Sequence, residues 1–490
     1  MGETTDTRGK GRGGNAFIAP VCGILTLLCV VLPAFFWKGG VLEGEAVSFL
    51  INYADDRTVL QKVFAVQLND FDTFQARELS FFFDYLDASF YLFLLRNFDV
   101  AFFIPLSAIV SSLLIILIYR YGVRRIFPGV DRLTAELSLL PFLTCFVFVS
   151  TMGVYYRSAK PLLAPVLLAL LFHILGSARS RLAGQSSFEK GWRVANRQSL
   201  LTFGLLLVAA LLDRQGFFYV LIAFAVLLVH FILTRKLKDL LLASGAAALL
   251  AHLYNWHFGP AIIWAVNAYR VDFFYQRIPA EDLAKLPAHS LKAIRLLIEN
   301  MAAMLGGYYV VGYLVIGVIA GWLIWQALGA LKKEAPGTFR ERAGSGASLT
   351  IIYVVMVFAL QILLFSLMIA RHRFIYEWVD HWYWYYSLPF LMTVLFGLAL
   401  LLNAVLPRLN TRGRRVLRVV LILIAISNLL HLPANRKLML TSQWFSQEYS
   451  FSEMLKASIR NHYRHPDLDA EYTRFFLFHE EQRKRQKSAR

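Results

Sequence analysis

The chain has 490 residues, 58% of them hydrophobic and 17% charged, with a mean hydropathy of +0.54 and a formal net charge of +18. These totals exclude an ordinary soluble globular domain, and the dispersal of basic residues among short segments between apolar runs argues against a nucleic-acid binder. They describe an all-α, polytopic membrane helix bundle, placed as a multi-pass protein in a bacterial inner or plasma membrane.

At about 20 apolar residues per crossing, about eleven transmembrane helices are expected, near 16–37, 100–119, 134–153, 161–177, 199–213, 217–234, 240–258, 307–330, 349–370, 386–406 and 417–433. The first follows Arg8, Lys10 and Arg12 and reads as a retained helix with its basic end in the cytoplasm. Alternate connections then carry Arg120, Arg124, Arg125 and Arg132, the run from Arg179 to Arg197, Arg235 to Lys238, Lys332 to Arg342, and Arg408 to Arg418. All fall on the side of the amino terminus, as the positive-inside rule requires. Cys22, Cys29 and Cys145 lie inside apolar runs and suggest neither a disulfide framework nor a thiolate metal site. The chain divides into a module over 1–330 with an extracytoplasmic loop at 38–99, a cytoplasmic linker at 331–348, further crossings at 349–433 and a tail at 434–490.

The loop 38–99 is the first place to look for chemistry. Asp70, Asp72, Gln75, Arg77 and Glu78 fall within nine residues, and Asp84 and Asp87 follow. Charges so close to lipid are costly unless they pair or react. Phe71, Phe74, Leu79, Phe82, Phe83 and Leu86 recur at helical spacing, which predicts an amphipathic helix along the membrane surface with its acids on the polar side. A carboxylate there is suited to accept a proton from an acceptor hydroxyl while Arg77 holds it ionised; the plainer alternative is a surface helix with solvated acids.

The short turns on the same side supply cations. Tyr155, Arg157 and Lys160 form one and Arg214 lies in another, at the depth of a lipid phosphate, which an arginine fork grips through two hydrogen bonds; simple headgroup anchoring is the competing reading. The segment 259–306 adds Arg270, with a surface helix expected around Ala288–Asn300 and breaks at Pro279 and Pro287. Farther on, Arg371, His372 and Arg373 precede Asp380, His381 and an aromatic run through Tyr386, a set fitting sugar stacking or phosphate neutralisation. No metal-ligand spacing accompanies these histidines; no cofactor is indicated, and a divalent cation is left open.

This arrangement, together with Asp72-Thr73-Phe74-Gln75-Ala76-Arg77-Glu78 and Tyr386-Ser387-Leu388-Pro389, resembles the GT-C superfamily of integral-membrane glycosyltransferases, in particular lipid-A aminoarabinose transferases and protein mannosyltransferases. The resemblance implies an inverting transfer of a sugar from a polyprenyl-phosphate donor to a glycan, lipid or protein acceptor on the extracytoplasmic face. Under it, Asp72, Asp70 and Glu78 are the catalytic carboxylates, and Arg157, Lys160, Arg214, Arg270 and Arg373 take the donor phosphate. Arg77, Gln75, Tyr155, His372, His381 and Tyr386 then line the substrate. The Asp-Glu doublet usual in such segments is replaced by Asp70 and Asp72 flanking Phe71, which leaves open which of them is the base. The rival classes are a secondary transporter or flippase, an O-antigen ligase or polymerase, and a non-catalytic scaffold.

Overall fold

A computed structural model describes residues 41–42, 58–64, 77–99, 105–156, 158–182, 188–235, 237–268, 284–304 and 379–441, with scattered positions elsewhere. Everything below concerns those residues. They are helical apart from a two-residue parallel pairing in which β1 (Val41–Leu42) meets β2 (Tyr155–Tyr156), Val41 opposite Tyr155.

In chain order, α1 (Val59–Val63) is closed by a reciprocal cap, Thr58 and Gln61 each bonding the other's backbone N–H. Next come α2 (Glu78–Phe98), α3 (Leu106–Ile126), α4 (Arg132–Thr144), α5 (Phe146–Val149) and a π-helical turn at Ser150–Val154. After β2 follow α6 (Ala159–Leu182), α7 (Phe188–Leu212), α8 (Arg214–Thr234) and α9 (Lys238–Leu253). A second π-helical turn, Tyr254–Phe258, leads to α10 (Gly259–Asn267); α11 (Leu286–Met304), α12 (Val379–Val405) and α13 (Thr411–Thr441) complete the set.

Five helices are long and apolar enough to cross a membrane: Leu106–Ile126, Ala159–Ala178, Arg214–Ile232, Ser387–Arg408 and Thr411–Ala434. A sixth crossing arises if Arg132–Thr144 and Phe146–Met152, bent by 63° at Cys145, count as one span. The stretch expected to cross near 134–153 is therefore bent within its length. The kink leaves carbonyls without a helical partner, and Asn428 of α13 supplies one: its amide donates to Pro141 O at 2.9 Å and Thr144 Oγ1 at 3.3 Å. The crossing near 100–119 begins later, at Leu106, and the one near 417–433, expected to be short, runs over 24 residues. Pro287 does not break the chain; it sits in the first turn of α11, where a missing N–H costs nothing. The segments expected to cross at 16–37, 307–330 and 349–370, and the linker 331–348, lie largely or wholly outside the described residues.

Packing centres on α6, buried along most of its length among α3, α7 and α12. Phe172 is clamped by Tyr119, Phe127 and Phe396, with ring centroids 6.1, 5.9 and 5.1 Å away. Gly122 permits this approach, since a Cβ there would stand 2.5 Å from the Phe172 ring. At one end of the bundle the α3–α4 and α12–α13 turns are tied together: Asn403 accepts from Gly129 N at 2.9 Å, and Arg418 pairs with Asp131 at 3.0 Å. That end carries Arg124, Arg125, Arg408, Arg412, Arg414 and Arg415.

Candidate active site

The opposite end is organised by α2. One face of this helix is buried, comprising Arg77, Glu78, Phe81, Asp84, Asp87, Ala88, Tyr91, Leu92 and Leu95, while Phe82, Leu86, Phe93 and Phe98 are exposed. A helix is present over the part of the expected one that is described, from Glu78 onward, while Phe71, Asp72, Phe74 and Gln75 lie outside the described residues; its acids Glu78, Asp84 and Asp87 turn inward, and part of its ring-bearing face turns out. The cause is what lies beneath. Helix starts leave backbone N–H groups without partners, and α2 crosses two of them. Asp84 accepts from Ser158 N at 3.1 Å, just before α6, while the Ser158 hydroxyl donates to Ser80 O at 3.0 Å. Asp87 takes the N–H and hydroxyl of Ser107, in the first turn of α3, at 2.9 and 2.5 Å.

The first turn of α2 adjoins a third helix start. Asp213 caps α8 by accepting from Gln215 N at 2.7 Å and also forms an ion pair with Lys160, both side chains almost fully buried. Burial alone would raise the Asp213 carboxyl; Lys160, then Arg77, then the Gln215 N–H outweigh it and hold the group below the usual carboxylate range. Lys160, expected to meet a donor phosphate, is thus already neutralised by an acid of its own chain. Arg77 is also buried, its guanidinium 5.1 Å from the centre of the Phe81 ring and close enough to act on both Asp213 and Glu78.

Glu78 is the chemically distinctive member. It is 7% exposed, and its Oε2 is fully buried without a hydrogen bond to any described residue. Burial pushes its carboxyl from 4.5 up to about 7, against the opposing pull of the backbone N–H at the helix start, the Tyr254 hydroxyl and Arg77. A carboxyl in that range exchanges a proton near neutral pH. The hydroxyl of Tyr254, the first residue of the second π-helical turn, is among the groups that act on it.

Of the residues singled out by sequence, Glu78, Arg77 and Lys160 come together here. Arg214 is the first residue of α8, half-buried and adjacent in the chain to Asp213. Tyr155 lies in β2, whose pairing brings residues 41–42 of the first loop to the turn before α6. His381 and Tyr386 lie in the opening turns of α12, which packs against the Ser150–Val154 turn. Asp70, Asp72, Gln75, Arg157, Arg270, His372 and Arg373 lie outside the described residues. Among the described residues no group of three or more His, Cys, Asp and Glu side chains is placed to hold a metal ion.

Two members of the cluster escaped the sequence reading. Asp213 carries a signal, as an aspartate at a tight corner directly before a long apolar helix is a capping residue, although Arg214 beside it is the more conspicuous charge. Tyr254 carried no signal within its apolar run. Comparison of the chain with protein-family models, with curated proteins and with solved structures gave no match.

Proposed function

We propose that the chain is an inverting, lipid-phosphate-dependent glycosyltransferase of the GT-C type, working at the extracytoplasmic face of a bundle of about eleven crossings. The observation that carries this reading is the Glu78 carboxyl, buried and poised near neutrality beside Arg77 at the end of the bundle away from the arginine-rich turns. Inversion at an anomeric carbon needs a base to take the acceptor's proton as the lipid phosphate departs. A carboxylate with a proton affinity near working pH fits that task, and fixed cations fit the developing phosphate charge.

In this reading Glu78, Asp70 and Asp72 are the candidate bases. Arg157, Arg214, Arg270 and Arg373 serve the phosphate, and Lys160 contributes through its pair with Asp213, holding the corner where α6 meets α8. Gln75, Arg77, Tyr155, His372, His381 and Tyr386 line the acceptor and sugar. The donor is a polyprenyl-phosphate sugar and the acceptor a glycan, lipid or protein.

The test is transfer from a panel of radiolabelled polyprenyl-phosphate sugars by the purified full chain in nanodiscs. Glu78→Gln is expected to lower turnover by about 100-fold or more while donor binding persists. Wild-type turnover in Glu78→Gln, Asp70→Asn and Asp72→Asn alike would remove the assignment. A transporter or flippase would instead move labelled lipid between leaflets of a proteoliposome without forming a glycosidic product.

A further inference from the structure

Ser158, the residue before Ala159, opens α6 in the ordinary manner through its carbonyl, which accepts from Leu162 N at 2.9 Å. A serine in that place usually turns its hydroxyl back on the free N–H groups of its own helix. Here the hydroxyl leaves α6 and donates to Ser80 O of α2 at 3.0 Å, and the Ser158 N–H goes to Asp84 at 3.1 Å. A buried residue thus gives both of its donors to a neighbouring helix. The turn it grips is the one that bears Glu78. At the near end of that turn Arg77 O accepts from Phe81 N and from the Ser80 hydroxyl, each at 2.9 Å; at the far end Ser80 O takes the Ser158 hydroxyl. Two residues beyond Ser158, Lys160 pairs with Asp213, the cap of α8.

We infer that Ser158 is a positioning residue for Glu78: its hydroxyl, given to α2 rather than to its own helix, fixes the turn that bears the carboxyl against the corner where Lys160 meets Asp213. The assignment rests on Glu78 being the base of the proposed transfer. A base must sit within hydrogen-bond reach of the proton it takes, and a displacement of about 1 Å is enough to lose most of that advantage. The carboxylates at Asp84 and Asp87 hold the body of α2, six and nine residues after Glu78. A helix end frays unless something holds it. The first turn of α2 has no side-chain cap from Arg77, and the Ser158 hydroxyl reaches it two residues after Glu78, ahead of both carboxylate grips.

Dicyclohexylcarbodiimide reads the surroundings of Glu78 without any substrate. It modifies carboxyls in their protonated form, so the pH dependence of Glu78 labelling in the purified full chain, followed by peptide mass spectrometry, tracks the proton on that side chain. The wild-type midpoint is expected near neutrality, with Glu78→Gln unlabelled at that position. Ser158→Ala keeps the N–H and removes the hydroxyl; loosening the turn admits water to the carboxyl, and the midpoint is expected to fall by about one pH unit toward its ordinary value. Ser158→Thr keeps the hydroxyl and is expected to hold the wild-type midpoint. Ser158→Cys, close to serine in size but a weak donor, is expected to follow Ser158→Ala, and it keeps the test available if Ser158→Ala fails to fold. Arg77, Asp84, Lys160 and Asp213 are unchanged throughout, so a shift reports the turn itself. A merely structural loss would lower the melting temperature and leave the midpoint in place. An unmoved midpoint in folded Ser158→Ala or Ser158→Cys overturns the inference, as does a wild-type midpoint at the ordinary carboxyl value. In the transfer assay Ser158→Ala is expected to lower kcat by about 10-fold or more with the donor KM little changed. If the labelling midpoint moves but Glu78→Gln transfers normally, the positioning of the carboxyl stands and the glycosyltransferase reading fails.

Discussion

Glu78 carries a cost that the fold has to bear. Its folded carboxyl holds a proton more tightly than the unfolded chain does, so the contribution to stability is fully present below its ordinary value of 4.5 and is lost as pH climbs through about 7. The interval corresponds to about 3 kcal/mol at most. Glu78→Gln, which keeps the shape and removes the charge, should therefore melt higher than wild type at pH 8 and nearly together with it at pH 5, followed by thermal unfolding in detergent. Equal melting temperatures at both pH values would mean that the carboxyl is better solvated than its burial implies. The pairing of lost turnover with gained alkaline stability is what a functional acid held in an unfavourable site produces. Asp213 behaves in the opposite way: held ionised by Lys160 and Arg77, it stabilises the fold above the ordinary carboxylate range and loses that contribution only on acidification.

At the scale of elements, the corner between α7 and α8 is the tightest. A Cβ on Gly216 would stand 1.8 Å from the Ala209 carbonyl oxygen, a contact with backbone that has nowhere to move. Gly216→Ala should cost at least about 3 kcal/mol or prevent folded protein from accumulating. Gly204, on the same α7, has nothing within 4 Å of its missing Cβ, and Gly204→Ala should be neutral or stabilising by up to about 1 kcal/mol. Thermal unfolding of the two variants, or recovery of monodisperse protein, separates them; similar behaviour would refute the close approach. Such corners bear on what a sequence reveals. The long apolar helices α3, α6, α8, α12 and α13 were legible because each is a continuous apolar run of membrane-crossing length. The inward turn of α2 was not, because its buried face is chosen by N–H donors at the starts of α3 and α6, far along the chain. The same holds for the site: Arg77, Glu78 and Lys160 were visible as charges beside apolar runs, whereas Tyr254 lies unmarked within an apolar stretch.

For the whole molecule, the antiparallel course of the helices sorts charge by end. Arg124, Arg125, Arg408, Arg412, Arg414 and Arg415 collect opposite the Glu78 cluster, and the proposed topology, in which the positive-inside rule sets the arginine-rich end in the cytoplasm, predicts that the cluster is reached from outside. In a chain with Cys22, Cys29 and Cys145 replaced, a cysteine at exposed His257 should react with a membrane-impermeant maleimide in intact cells, and one at exposed Arg412 only after permeabilisation. Labelling of both from one side would reverse the orientation or break the assignment of ends. One more property follows from α2 gripping the starts of α3 and α6 through carboxylates spaced along its own axis. Sliding by a single residue would carry both acids about 1.5 Å along and rotate them off their donors together, so the helix has no intermediate stop. Like a two-pin plug, it seats in a single register or in none.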